Sequence, residues 1–274
     1  MPERVFVFGA GKVGRALAAA LRARRFAVVL RAARLGLPKK PIAADVVVLA
    51  LRDRDLAPVV AKLAASRGVD RHAVVVHVAG ALDAEVLAPL RAVCAGVAQM
   101  HPMISFASRT FFPTLARGNV HVQGDRAAVA RAKKLARALG MTPRHFPNLD
   151  TIGYHAAAAL VANGAAALAA QAERLLVASH VPPRDAPRLL GPLLRSVADN
   201  VEHLGFPAAL TGPVRRGDPA AIEKGAKTLA ARVPDALPLY RAAVLAQVPL
   251  ARALGEVPSE ALDAIERWAR LPPP

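Results

Sequence analysis

The chain has 274 residues, of which 54% are hydrophobic and 21% charged, and this globular composition excludes a disordered chain. That length suffices for one large domain or two ordinary ones, and with only 4% aromatic residues the core must consist mainly of Ala, Val and Leu. The formal net charge of +17 raises nucleic acid as a partner, but base-stacking aromatics are few and no basic run exceeds two residues. Nucleic acid is therefore not the expected partner.

The first half of the chain alternates strand-like and helix-like segments. Strands are predicted at "RVFVFGAG", "FAVVLR", "DVVVLAL", "HAVVVHVAG", "GVAQMH" and "NVHVQG", with "TPRHF" as a last edge strand. Helices are predicted at "KVGRALAAALRARR", "RDLAPVVAKLAAS", "DAEVLAPLRAV" and "RAAVARAKKLARALG". Short Val-rich strands that alternate with helices indicate an α/β fold with a Rossmann-type, mainly parallel sheet covered on both faces.

The strand signals stop near residue 150. Helical segments are predicted at 151–178 and near 184–204, 219–232, 236–246 and 258–270, separated by prolines. Basic character also changes here, because residues 1–150 hold 24 of the 37 basic residues and 9 of the 20 acidic ones. We therefore predict an α/β domain over 1–150 and an all-α domain over 151–274.

The longest uncharged run, from Thr151 to Ala172, is long enough to cross a bilayer. It contains His155 and Asn163, and its many alanines contribute little transfer energy, so no membrane span is expected. Cys94 is the single cysteine, which fits a reducing compartment, and the first residues lack the apolar segment of a signal peptide. These features predict a cytoplasmic protein.

A glycine-rich turn joins the first strand to the first helix in "VFVFGAGKVGRAL". Gly9 would permit the tight turn, Gly11 would let the backbone approach a pyrophosphate, and Gly14 would let helix and strand pack closely. Lys12 and Val13 begin the helix, whose N–H groups and positive potential favour phosphate. We predict that these five residues bind a dinucleotide.

The end of the second strand distinguishes NADP from NAD. An acidic residue there would accept hydrogen bonds from the ribose hydroxyls of NAD, whereas this chain has Arg31 and no acid before Asp45. Arg34 and two lysines follow, and a guanidinium can pair with a 2′-phosphate. The predicted cofactor is therefore NADP.

Other candidates follow strands of the sheet, where open α/β folds place their ligands. Leu51 and Ala79, after the third and fourth strands, are expected to line the cofactor site. His77, at the end of the fourth strand, and Ser105, beyond the fifth, are candidate substrate ligands. His101, which Pro102 follows, is a candidate catalytic residue.

Paired arginines in the second half could recognise a substrate carboxylate. Arg215 and Arg216 lie in "TGPVRRGD", and two guanidinium groups offer paired N–H donors. The alternative is that both are solvated loop charges. The eight histidines and one cysteine show no zinc-site spacing, so no metal is expected.

The order of "GAGKVG", "VVVHVAGAL", "MHPMISF", "YHAAAALVANG" and "ALTGPVRRGD" resembles a bacterial two-domain family over nearly the whole chain. That family has a Rossmann-like NADP-binding domain followed by a helical domain of unknown function. It is similar to pyrroline-5-carboxylate reductase, ketopantoate reductase and the 3-hydroxyacid dehydrogenases, and "HPM" also resembles prephenate dehydrogenase. The resemblance implies a homodimer formed through the helical domain.

In the ketopantoate reductase and hydroxyacid dehydrogenase relatives, the first helix after the Rossmann domain carries a catalytic lysine and an asparagine one turn later. A second asparagine follows in ketopantoate reductase. His155 occupies the lysine position here, Ala159 the first asparagine position and Asn163 the second. His155 and Asn163 lie roughly 80° apart around the helix axis, so both could border one cleft.

These patterns together predict an NADP-dependent oxidoreductase. Hydride would pass between nicotinamide and a carbonyl or imine carbon of a small, carboxylate-bearing substrate. His155 would donate the proton, and Asn163 and His101 would orient the substrate. Two alternatives stay open: a non-catalytic NADP-binding sensor or regulator, which the absent lysine motivates, and an enzyme of the prephenate dehydrogenase kind.

Overall fold

The computed structural model describes residues 2–271, and its first part is built on one seven-stranded sheet. The strand order is β2-β1-β3-β4-β5-β6-β7, and every neighbouring pair is parallel except β5 and β6. The strands are β1 (Arg4–Phe8), β2 (Ala27–Arg31), β3 (Val46–Leu49), β4 (Val74–His77), β5 (Gly96–Pro102), β6 (Asn119–Gly124) and β7 (Thr142–Arg144). The predicted mainly parallel sheet is confirmed.

Helices cover both faces of this sheet. One face packs against α1 (Lys12–Ala23) and α3 (Arg126–Ala138), and the other against α2 (Asp53–Ala65) and a 3-10 helix over Ala84–Ala92. Because both faces are covered, every residue of β3 and β4 is buried, which explains why three or more consecutive apolar residues form most of each strand.

The segment "DAEVLAPLRAV" was expected to form a helix like the others, but it forms the 3-10 helix. Pro89 lies inside it and has no N–H to donate, which weakens regular i→i−4 bonding. The Asp83 side chain accepts a hydrogen bond from the Glu85 N–H and fixes its start.

The remainder of the described chain is helical. It contains α4 (Thr151–Ala178), α5 (Ala186–Leu204), α6 (Pro219–Arg232), α7 (Leu237–Leu254) and α8 (Ser259–Arg270). The prediction that a helix ends near residue 246 is wrong, because α7 continues through Pro249. Val244, Val248 and Ala251 lie on one buried face of α7, and this packing offsets the roughly 3 kcal/mol that an interior proline costs.

The chain divides into two compact units, of which the first ends at Ala159 and the second begins at Leu160. The division therefore lies inside α4 and not before it, where the sequence placed the domain boundary. The rings of Tyr154 and His155 pack edge-on against His101 of β5, so the start of α4 belongs to the unit that contains the sheet.

Helix α4 is long and apolar enough to cross a membrane by length and composition alone. It has 28 residues, an 18-residue window with a mean hydropathy of 1.3, and no buried residue in the chain as described. Core helices of soluble proteins pass the same test, so this is weak evidence of a span.

Candidate active site

The strand order reverses beside β1, which pairs with β2 on one side and β3 on the other. Open α/β sheets bind ligands in the crevice at the carboxyl ends of the strands at such a reversal. The glycine-rich turn follows the carboxyl end of β1, and Ala50 and Leu51 follow the carboxyl end of β3. The topology therefore brings the predicted cofactor residues to one place.

The three glycines of the turn have distinct steric environments. Gly9 has a φ of +115°, and a Cβ there would overlap the carbonyl oxygen of Ala50. A Cβ on Gly14 would overlap the carbonyl oxygen of Gly9, so only glycine lets α1 approach the turn this closely. A Cβ on Gly11 would meet nothing within 4 Å.

Gly11 is also the N-cap residue of α1, and it provides no side chain to satisfy the first N–H groups of the helix. Those donors and the open space beside them fit an anionic group such as a pyrophosphate. The steric environments of Gly9 and Gly14 agree with the roles that the sequence assigned to them, while the binding of a pyrophosphate beside Gly11 stays a prediction.

Arg31 ends β2 and holds the segment that follows it. Its Nε donates to the Gly36 carbonyl and its Nη2 to the Leu35 carbonyl, both at 2.7 Å. A guanidinium has five N–H donors, so others are left for a phosphate. Arg34 lies on the same segment and is exposed.

That segment borders a cavity of about 310 Å³ between the ends of β1 and β3 and helix α2. Its wall includes Leu37, Leu51, Pro58 and Val59. These apolar side chains fit a flat heterocycle such as adenine.

A second cavity, of about 480 Å³, begins at the glycine turn and extends past the ends of β4 and β5. Leu51 lines both cavities. This second cavity brings together predicted residues from five segments of the chain: Gly11, Lys12, Val13, Leu51, Ala79, His101 and His155.

Two imidazole rings converge at one end of this cavity, above Gly80. The ring centroids of His101 and His155 are 5.8 Å apart. A Cβ on Gly80 would overlap Nδ1 of His155 and lie 3.0 Å from Nε2 of His101. The missing side chain at Gly80 is therefore what allows both nitrogens to face the same small space.

The surroundings of His101 select one tautomer of its neutral ring. Its Nδ1 lies 3.2 Å from the Val78 carbonyl and donates to it, which leaves Nε2 as an acceptor when the ring is neutral. Burial lowers the pKa of His101, and the nearby His155 acts in the same direction. The neutral form of His101 is thereby favoured.

His77 is fully buried, and backbone groups occupy both of its ring nitrogens. Nε2 donates to the Asp83 carbonyl at 2.8 Å, and Nδ1 accepts from the Ala79 N–H at 3.2 Å. Burial lowers its pKa to about 4, so the ring stays neutral. No nitrogen is left for a substrate in this arrangement, and His77 instead holds the turn that contains Gly80.

Gln99, a buried residue of β5 that was not predicted from the sequence, also holds the turn that contains Gly80. Nε2 of Gln99 donates to the carbonyls of Ala79 and Leu82, at 3.0 and 2.5 Å, and Gln123 donates to Gln99 Oε1 at 2.9 Å. In the sequence, Gln99 stands out as a polar residue that follows the apolar run "GVA" and precedes Met100.

The remaining predicted residues lie outside this cavity. Ser105 is exposed beyond β5, and Asn163 and Arg216 are exposed in the second unit. Arg215 forms a bidentate ion pair with Glu256, at 2.7 and 2.8 Å, and also donates to two backbone carbonyls. Its guanidinium is therefore committed to its own unit. Among residues 2–271, no group of three or more His, Cys, Asp or Glu side chains is arranged to hold a metal ion.

Two family models match this chain. A Rossmann-like domain matches residues 29–102, and a domain of unknown function, DUF2520, matches residues 119–247. The chain combines a Rossmann-like domain with a DUF2520 domain. The predicted two-domain organisation of the family is thereby confirmed, while the DUF2520 match itself carries no activity. No protein with a curated description matches the chain.

Solved structures share the fold over nearly the whole chain. A Bacteroides fragilis protein provisionally assigned as an NADP oxidoreductase is 20% identical, with a TM-score of 0.67 over 93% of this chain and 99% of its own. A Thermotoga maritima protein is 24% identical, with a TM-score of 0.64 over 92% and 100%. Plasmodium falciparum pyrroline carboxylate reductase with NADP bound is 11% identical, with a TM-score of 0.59 over 97% and 99%. Imine reductases also match.

Proposed function

We propose that this Rossmann–DUF2520 protein is an NADP-dependent oxidoreductase. It would transfer hydride between nicotinamide and a carbonyl or imine carbon of a small, carboxylate-bearing substrate. The observation that carries the proposal is the convergence of His101 and His155 above Gly80, in a cavity that begins at the glycine turn. The shared fold with an NADP-bound reductase supports it.

The residues present fit the cofactor. Gly11, Lys12 and Val13 would hold the pyrophosphate, and the apolar cavity beside Leu51 would take the adenine. Arg31 and Arg34 would bind the 2′-phosphate. The bound nicotinamide supplies or accepts the hydride, so the task of the protein is to position the substrate and to move a proton.

The two imidazoles have different roles, one in moving the proton and one in positioning the substrate. We assign proton donation to His155, because its Nδ1 faces the space above Gly80. His101 orients the substrate, since its Nε2 is an acceptor with a fixed direction. Asn163 does not line this cavity, so we assign it no part in the proton transfer.

The activity is tested directly by mixing the protein with NADPH and matched carbonyl and cyclic imine compounds that carry a carboxylate. Loss of NADPH absorbance with at least one of them is the expected result. Tight NADPH binding without turnover of any such compound would instead favour a non-catalytic sensor of NADPH.

Arg31→Asp is expected to weaken NADPH binding by about tenfold to a hundredfold, because a guanidinium–phosphate contact contributes on the order of 1–3 kcal/mol. Dissociation constants for NADPH and NADH are measured for both proteins. Arg31 also holds its own loop, so a loss of loop order would weaken both cofactors alike. Equal affinity of the wild type for NADH and NADPH would contradict the assignment.

We further propose that two copies associate through the helical unit. Large apolar side chains are exposed on two of its helices, and they recur along one side of α5 at a spacing of mostly four residues. The exposed residues are Leu160, Val161, Leu168 and Val177 on α4, and Leu189, Leu193, Leu194, Val197, Val201 and Leu204 on α5. A soluble monomer rarely exposes so large an apolar surface, and a second copy would cover it.

The oligomer is tested by light scattering at micromolar concentration. The wild type should have twice the mass of the 28.7 kDa chain, and Val197→Asp should weaken association at least a hundredfold by placing a charge in the apolar surface. Arg195→Asp introduces the same side chain on the opposite side of α5 and should leave the dimer intact. A wild type that shows only the 28.7 kDa species contradicts the proposal.

A further inference from the structure

The segment between β5 and β6 forms a wall of the cavity that contains the two imidazoles. It contributes Ile104, Phe106 and Arg109 to the lining, a few residues after His101 on the same stretch of chain. This wall combines two apolar side chains with one permanent positive charge. The lining near the glycine turn also carries charge, from Lys12, Arg52 and Asp53.

The backbone around Arg109 is held by a local turn. Ser108 Oγ accepts hydrogen bonds from the N–H groups of Thr110 and Phe111, both at 3.1 Å. The Arg109 side chain makes no hydrogen bond or ion pair with any of residues 2–271. By contrast, Arg215, the sequence-based candidate for a carboxylate, is already neutralised by Glu256.

The other charges around the cavity do not neutralise Arg109. Lys12 follows the glycine turn, and Arg52 follows β3, so both belong to the crevice where the cofactor phosphates are expected. Asp53 is the acidic residue among the described lining side chains, and it begins α2 on that same side. Arg109 comes from the segment that directly follows β5, the strand that carries His101, and it lines the same cavity as the two imidazoles.

We propose that Arg109 binds an anionic group of the substrate, of the carboxylate class. Ile104 and Phe106 pack against the apolar body of that substrate, while His101 and His155 face its carbonyl or imine group. A guanidinium offers two parallel N–H donors to a carboxylate, which fixes orientation as well as affinity. This inference rests on the proposed function and names the residue that selects the substrate class.

Two flat compounds that do not accept hydride test the inference: pyrrole-2-carboxylate and its uncharged counterpart, pyrrole-2-carboxamide. Their binding to the NADP-loaded protein is measured by calorimetry. The wild type should bind the carboxylate at least tenfold more tightly than the amide. Arg109→Gln should abolish that preference, with a loss of about tenfold to a hundredfold for the carboxylate alone.

Arg71→Gln is the matched control, because Arg71 is exposed just before β4, at the amino end of the strand and away from the cavity. This variant should keep the preference for the carboxylate over the amide. NADPH affinity is measured for all three proteins. A protein that does not bind NADPH refutes the proposed function, and the two probes are then compared on the protein without cofactor. If NADPH binds but the wild type does not prefer the carboxylate, or if Arg109→Gln keeps the preference, the assignment of Arg109 alone is overturned.

Discussion

Replacement of His155 by Ala is expected to lower turnover by about 10²–10⁴-fold while NADPH affinity stays nearly unchanged. The reason is that Nδ1 of His155 faces the space above Gly80, in the part of the cavity away from the glycine turn. Removal of this ring takes away the proposed proton donor without touching the phosphate-binding residues. Steady-state kinetics and an NADPH titration on the same preparations measure both quantities.

His72→Ala is the control for this experiment, because His72 is exposed before β4, at the edge of the sheet away from the cavity. It should leave turnover and NADPH affinity as they are. Full turnover by the His155→Ala protein would mean that the ring has only a packing role.

The free energy of unfolding should fall by about 3 kcal/mol between pH 6.5 and pH 4 because of His77. Burial lowers the pKa of His77 from 6.5 to about 4 in the folded protein. The unfolded chain therefore takes up the proton first as the pH falls, and acid favours unfolding. The contribution of His77 is complete above pH 6.5 and is lost by about pH 4.

Urea unfolding across this pH range measures the effect. His77→Gln cannot take up the proton and should flatten the dependence of stability on pH. His121→Gln should flatten it too, because burial also lowers the pKa of His121. A His77→Gln protein with the same pH dependence as the wild type would show that other groups cause the acid sensitivity.

The sheet and the cofactor turn could be predicted because their signals are local. Short apolar runs identified β1 to β6, and the GxGxxG spacing identified the turn, although the carbonyl that crowds Gly9 belongs to Ala50, just after β3. The end of α7 could not be predicted, because the proline rule is local and the packing of Val248 and Ala251 that overrides it is tertiary.

The candidate site was only partly visible in the sequence for the same reason. His101 and His155 stand out as polar residues in small-residue segments, and the structure places them together. The positions of Arg109 and Gln99 could not be predicted, because they depend on how β5 and the segment after it pack beside the cavity. Arg215 was a candidate carboxylate ligand in the sequence, but it pairs with Glu256. That partner could not be foreseen, because it is 41 residues away in the chain.

Gly80 gives a criterion for sorting related chains without solving their structures. Even one methyl group at this position would overlap the His155 ring, so glycine and the histidine pair have to be inherited together. A relative that keeps both histidines but carries alanine here must hold its rings differently. One that loses the histidines is free to vary at this position. Covariation between position 80 and the two histidines would thus separate the chains that can hold this pair of rings from those that have only the fold.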